Sequence, residues 1–410
     1  MTLNYIWISF FFIAFLSGIF QWIFLGNIEI FPALVKSIFD NAKTGFELSL
    51  FLSGILTLWM GIMKIGENGG IVSILQKGIG PFFYKLFPEV PKNHPAFTPM
   101  VMNVASNMLG LDNAATPMGL KAMNELQDLN PNKDVASNAQ IMFLVLNTSG
   151  LTILPTTIMA YRYQFGAVDP SDIFLPTLIA TFFSTLAGLL AVSFYQKINL
   201  LDKTILLYLG ALTVLIVSLI AFISNLPQEA VSVYSSAISN LILFSIIVYF
   251  ILLCMLKKAN VYESFIEGAK EGFGVAIKII PYLVAMLVAI GVFRTCGALT
   301  FITEGIGILL SMSGIDTQFV DALPTALMKP LSGSGARGMM VDVLENNGPD
   351  SLSGRIASIM QGSTETTLYV VAVYFGAVNI KRSRYAITCG LIADAVGVVA
   401  AILLGYLFFA

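Results

Sequence analysis

The sequence predicts an all-α polytopic membrane protein built from inverted structural repeats, with re-entrant helical hairpins and two broken transmembrane helices. Three observations predict it. First, 57% of the 410 residues are hydrophobic and only 11% are charged, against roughly 25% charged in a soluble domain. Second, a run of polar residues and glycine, Gln361-Gly362-Ser363-Thr364-Glu365-Thr366-Thr367, interrupts an apolar stretch long enough to span a bilayer. Third, one ordered set of segments occurs twice along the chain.

Spanning requires about 20 apolar residues. Clear candidates are Leu3–Leu25, Phe46–Ile65, Ile173–Tyr195, Thr204–Ile223, Val231–Leu256, Ala276–Phe293 and Tyr385–Phe408. The first lacks a basic leader and a small-residue cleavage site, so it reads as a retained helix. Val135–Tyr163 is broken at Asn147-Thr148-Ser149-Gly150, and Ser353–Gly376 at the Gln361 run. Phe31–Asn41 and Tyr262–Glu271 are amphipathic and are expected to lie at the interface.

Two segment pairs are too short and too polar to cross. Phe97–Met108 and Ala114–Leu126 flank Leu109–Asn113. Asp321–Lys329 and Gly338–Leu344 flank Pro330–Ala336. Each pair reads as a hairpin entering the membrane and returning, tolerated there only if it is buried in protein or lines a cavity. The alternative is a surface loop between short helices outside the membrane.

The duplication is explicit. Ala42-Lys43-Thr44-Gly45-Phe46 recurs as Ala269-Lys270-Glu271-Gly272-Phe273, and glycines follow at equal separation, Gly70 and Gly297. A hairpin, a broken helix, a Phe-Gly-Ala-Val (Phe165–Val168, Phe375–Val378) and a last span follow in both halves. The expected domains are residues 1–199, a linking helix at 200–226, and residues 227–410. Each half crosses four times, so the linking helix inverts the second half, an arrangement used by transporters. Lysine and arginine concentrate on one side, with Lys36, Lys43, Arg162, Arg294 and Arg355 on the other. The N-terminus is then expected in the cytoplasm and the C-terminus outside.

Four polar stretches are expected to converge at mid-membrane. They supply Asn107, Asn113 and Thr116; Asn147, Thr148 and Ser149; Ser332 and Ser334; and Gln361, Ser363, Thr364 and Thr366. Amides offer donor and acceptor together, and half-helix N-termini favour anions. The alternative for any one hydroxyl is back-bonding to its own helix. Gln361 and Glu365, four apart, are expected to share a face. Glu365, Asp112 and Asp394 are the carboxylates expected at depth. Each must be protonated, paired or cation-bound, and Lys329 and Arg337 are candidate partners. Coupling to Na+ or H+ fits these carboxylates, and no other cofactor is indicated.

Net charge of −2 gives no reason to expect nucleic acid, and the three cysteines and single histidine have no metal or disulfide spacing. No catalytic constellation is visible, so an enzyme is not expected.

The first half resembles spore maturation protein A, through Met102–Pro117, Leu129–Asp134 and Asn147-Thr148-Ser149. The second resembles spore maturation protein B, through Lys329–Gly335 and Met360–Thr367. Both are identified as members of a nucleoside recognition, or gate, family similar to parts of concentrative nucleoside transporters. The resemblance implies a transport-type fold, and in sporulating hosts a link to spore maturation. It implies no particular substrate. The function expected is an ion-coupled secondary transporter of a small polar or anionic solute in the bacterial inner membrane. The alternative is a membrane scaffold or ligand sensor that acts through partners. The lipid bilayer and the solute are the partners expected, with homo-oligomerisation left open.

Overall fold

The computed structural model describes residues 2–410 apart from 92 and 111, and not the side chains of residues 2, 3, 112–114, 228, 229 and 232. Its elements in order are α1 (Thr2–Phe24), α2 (Ile30–Asn68), α3 (Ile71–Leu86), α4 (Phe97–Met108), α5 (Asp112–Leu129), α6 (Asn138–Thr148), α7 (Thr156–Gln164), α8 (Phe174–Gln196) and α9 (Lys203–Ser224). There follow α10 (Gln228–Leu256), α11 (Val261–Thr295), α12 (Ala298–Ser311), a 3-10 turn at Val320–Ala322, α13 (Leu323–Met328), α14 (Gly333–Asn347), α15 (Leu352–Ser363), α16 (Thr367–Ala377) and α17 (Ala386–Phe409). Among the described residues, α1, α2, α8, α9, α10, α11 and α17 are long and apolar enough to cross a membrane. These are the seven unbroken spans the sequence predicts.

Three local readings are corrected. Phe31–Asn41 and Tyr262–Glu271 are not separate interfacial helices, because each runs without a break into the following span as part of α2 or α11. Gly45 and Gly272 do not break these helices, because each faces a neighbouring backbone. Helices also follow Gly70 and Gly297, where no helix is expected. Both glycines take the left-handed conformation, with φ of 85° and 81°, and each turns the chain from a long helix into α3 or α12. The breaks are displaced too. Residues 147 and 148 stay helical and the first interruption covers 149–155, ending at Pro155, which lacks an N–H and restricts the residue before it. Gln361, Gly362 and Ser363 complete α15, leaving 364–366 as the second interruption. Burial of residues 356–364 outweighs the roughly 1 kcal/mol that glycine costs a helix.

The chain divides into two compact units. One comprises residues 1–60, 157–170 and 269–361, and the other residues 61–156, 171–268 and 362–410. In the first unit α1 lies on α11 and α12. Trp7 Nε1 donates to Ala285 O at 3.0 Å, Ser17 Oγ to Cys296 O at 3.0 Å, and Phe10 stacks on Phe293. In this unit α2 runs antiparallel to α11, with Asn41 beside Gly291, Gly45 beside Val284 and Leu56 beside Gly272. A Cβ on Gly45 would stand 3.0 Å from the Val284 backbone, and one on Gly272 would stand 2.6 Å from Leu56 O. The glycines of the repeated Ala-Lys-x-Gly-Phe therefore act reciprocally, each admitting the other helix's backbone.

The second unit centres on α8 and α17, also antiparallel. Ser184 Oγ donates to Ala393 O at 3.0 Å, and Gly188 and Gly397 meet Ala393 and Ser184 respectively. α4 folds back on α5, both pack with α6, and α5 also packs with α16. Phe83, Met100, Met123, Phe143 and Phe375 are among the residues of the apolar core here. α6 begins with a capping box. Ser137 Oγ accepts from Gln140 N and Gln140 Oε1 accepts from Ser137 N, which satisfies two otherwise orphaned donors.

Gly272→Leu should overpack the α2–α11 contact and lower stability by about 1–3 kcal/mol. Gly274, on the same helix, has open space around its Cα, and Gly274→Leu should leave the thermal midpoint in detergent unchanged.

Candidate functional site

In the second unit the two helix interruptions meet. α6 ends at Thr148, whose carbonyl lies beyond the last N–H of its own helix, and the N–H of Glu365 lies in the interruption before α16. Glu365 N donates to Thr148 O at 2.8 Å. One orphaned acceptor and one orphaned donor of the broken helices thus satisfy each other. Ile153 N, inside the first interruption, donates to Met108 O at the end of α4 at 2.8 Å. The hairpin and both interruptions share one hydrogen-bonded backbone cluster.

Side chains extend the cluster. Asn147 Oδ1 accepts from Asn107 Nδ2 at 2.8 Å and from the Tyr374 hydroxyl at 3.2 Å, while Asn147 Nδ2 donates to Phe143 O at 2.9 Å. Asn103 Nδ2 donates to Tyr374 Oη at 3.1 Å and to Ala115 O at 2.8 Å. Gly119 gives Tyr374 its room, since a Cβ there would collide with the hydroxyl. Thr148 and Ser149 hydroxyls both back-bond to Val145 O, the alternative that the sequence left open. Thr185 Oγ1 donates to Ser149 O at 3.1 Å.

Asp394, 3% exposed on α17, accepts from the Thr367 hydroxyl at 2.7 Å. Thr367 is the first residue of α16, whose N-terminus carries partial positive charge. Thr364 and Thr366 are buried, whereas Glu365 between them is exposed. Its side chain passes Gly150, where a Cβ would stand 3.3 Å from Glu365 Cγ. The structure therefore brings together Asn107, Asn147, Thr148, Ser149, Ser363, Thr364, Glu365, Thr366 and Asp394. Thr116 is exposed on α5. The side chains of Asp112 and Asn113 lie outside the described residues.

Ser332, Ser334 and Gln361 belong to the first unit. Ser332 Oγ caps α14 by accepting from Gly335 N at 3.0 Å and lies 3.2 Å from Ser334 Oγ. Lys329 is 4% exposed, and its ammonium donates to Gln361 O at 2.6 Å. Gln361 and Glu365 do not share a helical face, because α15 ends between them at Ser363.

Sequence reading missed two buried groupings. Tyr374 lies in a stretch that reads as wholly apolar, and its hydroxyl was the available signal. Arg162, counted only among the charges of the Lys/Arg-poor side, is fully buried on α7. It donates to Pro349 O at 2.5 Å and pairs with Asp350 at 3.2 Å. Arg294 Nε donates to Asp342 at 2.8 and 3.0 Å. Cys254, Cys296 and Cys389 are buried and free, and among the described residues no group of acidic, histidine and cysteine side chains could hold a metal.

The family model described as Gate, nucleoside recognition, matches residues 50–163 and 276–381. The chain belongs to this nucleoside recognition family. Each matched segment carries one hairpin and one broken helix, and ends within a few residues of the end of that helix's second half. The chain is also similar to two proteins of Bacillus subtilis (strain 168). It is 49% identical to spore maturation protein B over 182 residues, covering 44% of this chain and 98% of that protein. It is 39% identical to spore maturation protein A over 155 residues, covering 38% of this chain and 79% of that protein. One polypeptide here joins what are two proteins there. No solved structure matches the chain.

Tyr374→Phe should leave Asn103 without its side-chain acceptor and cost about 1–2 kcal/mol. Tyr369, 62% exposed, provides the control: Tyr369→Phe should stay within about 0.5 kcal/mol of the native protein. Thermal unfolding of both in detergent checks this.

Proposed function

We propose that this membrane protein is an ion-coupled secondary transporter of a small polar or anionic solute, not an enzyme, and that it resides in the bacterial inner membrane. The observation that carries the reading is the meeting of two interrupted helices beside an exposed carboxylate. Irregular backbone at membrane depth is tolerated where it is buried in protein or lines a cavity, and interrupted helices supply solute and ion sites in transporters. Glu365 is the coupling residue in this reading, and it forms no ion pair among the described residues. Asp394, held by Thr367, is the second charge. Asn107 and the backbone beside Thr364 and Thr366 offer solute contacts. Gln361, Ser332 and Ser334, grouped near Lys329, are proposed as further solute contacts.

The α4–α5 and α13–α14 pairs are proposed to be re-entrant, and the repeats inverted. Two observations support inversion: α2 against α11 and α8 against α17 are repeat equivalents, and each pair runs antiparallel. The expected orientation puts Met1 in the cytoplasm and Ala410 outside. A tag at Ala410 should react with an impermeant reagent on intact cells, and one at Met1 only after permeabilisation. The opposite pattern would reject the orientation. In a sporulating host the protein is proposed to act in spore maturation, as the names of its relatives suggest.

A scaffold or sensor is the second reading. It is favoured by the closure of the Asn147 amide on Phe143, Asn107 and Tyr374, which takes up its carbonyl oxygen twice and one of its two N–H donors. Glu365→Gln keeps size and removes charge. In vesicles offered a panel of labelled metabolites, the native protein should accumulate one under a Na+ or pH gradient, and Glu365→Gln should lose the gradient dependence by tenfold or more while remaining folded. Gradient-driven uptake that is unchanged in Glu365→Gln would reject the coupling role. No uptake of any solute by the native protein would favour the scaffold.

A further inference from the structure

We propose that the two repeats are interlocked by exchange of half-helices. The second half of each broken helix is held by the stretch preceding the broken helix of the other repeat, with Asp350 and Asp134 as equivalent anchors. The two stretches match in pattern: Asn130-Pro131-Asn132-Lys133-Asp134 leads into α6, and Asn346-Asn347-Gly348-Pro349-Asp350 leads into α15.

In the first unit the exchanged piece is α7, which groups with residues 269–361 of the second repeat. Its Arg162, fully buried, is fixed by Pro349 O and the Asp350 carboxylate. The same carboxylate accepts from Val168 N at 2.9 Å, just past α7, in the Phe-Gly-Ala-Val segment. Arg355 stands 3.7 Å from the same carboxylate oxygen that Arg162 meets. A buried guanidinium stays charged, and the Asp350 carboxylate is one of the groups that balance it.

In the second unit the exchanged piece is α16, which groups with residues 61–156 of the first repeat. Here the Asp134 carbonyl accepts from Lys381 N and Arg382 N, both at 3.0 Å, and Ala136 N donates to Arg382 O at 3.0 Å. This is an isolated parallel bridge between Val135 and Arg382. The Asp134 carboxylate adds a pair with Lys381 at 3.3 Å, and Gln127 Nε2 donates to Val378 O in the other Phe-Gly-Ala-Val segment. The chemistry of the anchors differs, buried ion in one and backbone bridge in the other, but the exchange is the same. Neither repeat owns a complete set of partners for its own broken helix.

The full chain can test this. A protease site is inserted at the exposed turn at Asn225, and Asp134→Cys and Lys381→Cys are added; the three native cysteines are buried. After membrane insertion, solubilisation and cleavage, the two fragments should co-elute, and mild oxidation should join most of them into one band on a non-reducing gel. Separation of the fragments, or cross-links that form only between differently tagged copies, would overturn the exchange. Asp350→Asn, in the same cleaved protein, should lower the temperature at which the fragments part by several degrees, and an unchanged temperature would remove Asp350 as an anchor.

Discussion

The structure depends on one constraint: a helix interrupted inside a membrane protein frees backbone groups that lipid cannot solvate. The hydrogen bond from Glu365 N to Thr148 O meets that constraint for both broken helices at once. It requires that the end of α6 and the start of α16 be neighbours, although more than 200 residues separate them in the chain. The rest of the cluster follows from it. Ile153 finds its acceptor on α4, so the hairpin must lie against the interruption, and Asn147 ties α4, α6 and α16 through one amide.

Close backbone contact makes this possible. Glycines on α2 and α11, and on α8 and α17, remove the side chains that would hold the helices apart. Helices in lipid gain little from burying apolar surface against each other and associate through such packing and through hydrogen bonds. The repeated glycines Gly45 and Gly272 thus serve the pairing of equivalent helices across the duplication. Each long helix stays continuous where its sequence looks interrupted.

Three of the buried charges are accommodated differently. Arg162 receives a carboxylate and a carbonyl, Lys329 a carbonyl at the end of α15, and Asp394 a hydroxyl at a helix N-terminus. Of Glu365 and Asp394, only Glu365 is exposed.

The sequence by itself determined the class of protein, the seven long apolar helices and the presence of two interruptions, and its repeated order of motifs agrees with the two segments that the family model matches. Composition, span length and a repeated order of motifs are properties of the chain read along its length. It also placed Asn147 and Glu365 beside interruptions, because polar side chains at bilayer depth must face protein or water and not lipid. Only the tertiary structure decided where the helices stop. Gln361 and Ser363 look like part of the knot, yet burial keeps them helical, and Pro155 moves the other interruption past Ser149. Tertiary structure also decided what Tyr374 and Arg162 do, since a hydroxyl or a guanidinium acquires its role from partners hundreds of residues away. The exchange of half-helices was illegible for the same reason: local pattern specifies a broken helix, while the hydrogen bonds that complete it are chosen by whichever backbone comes near.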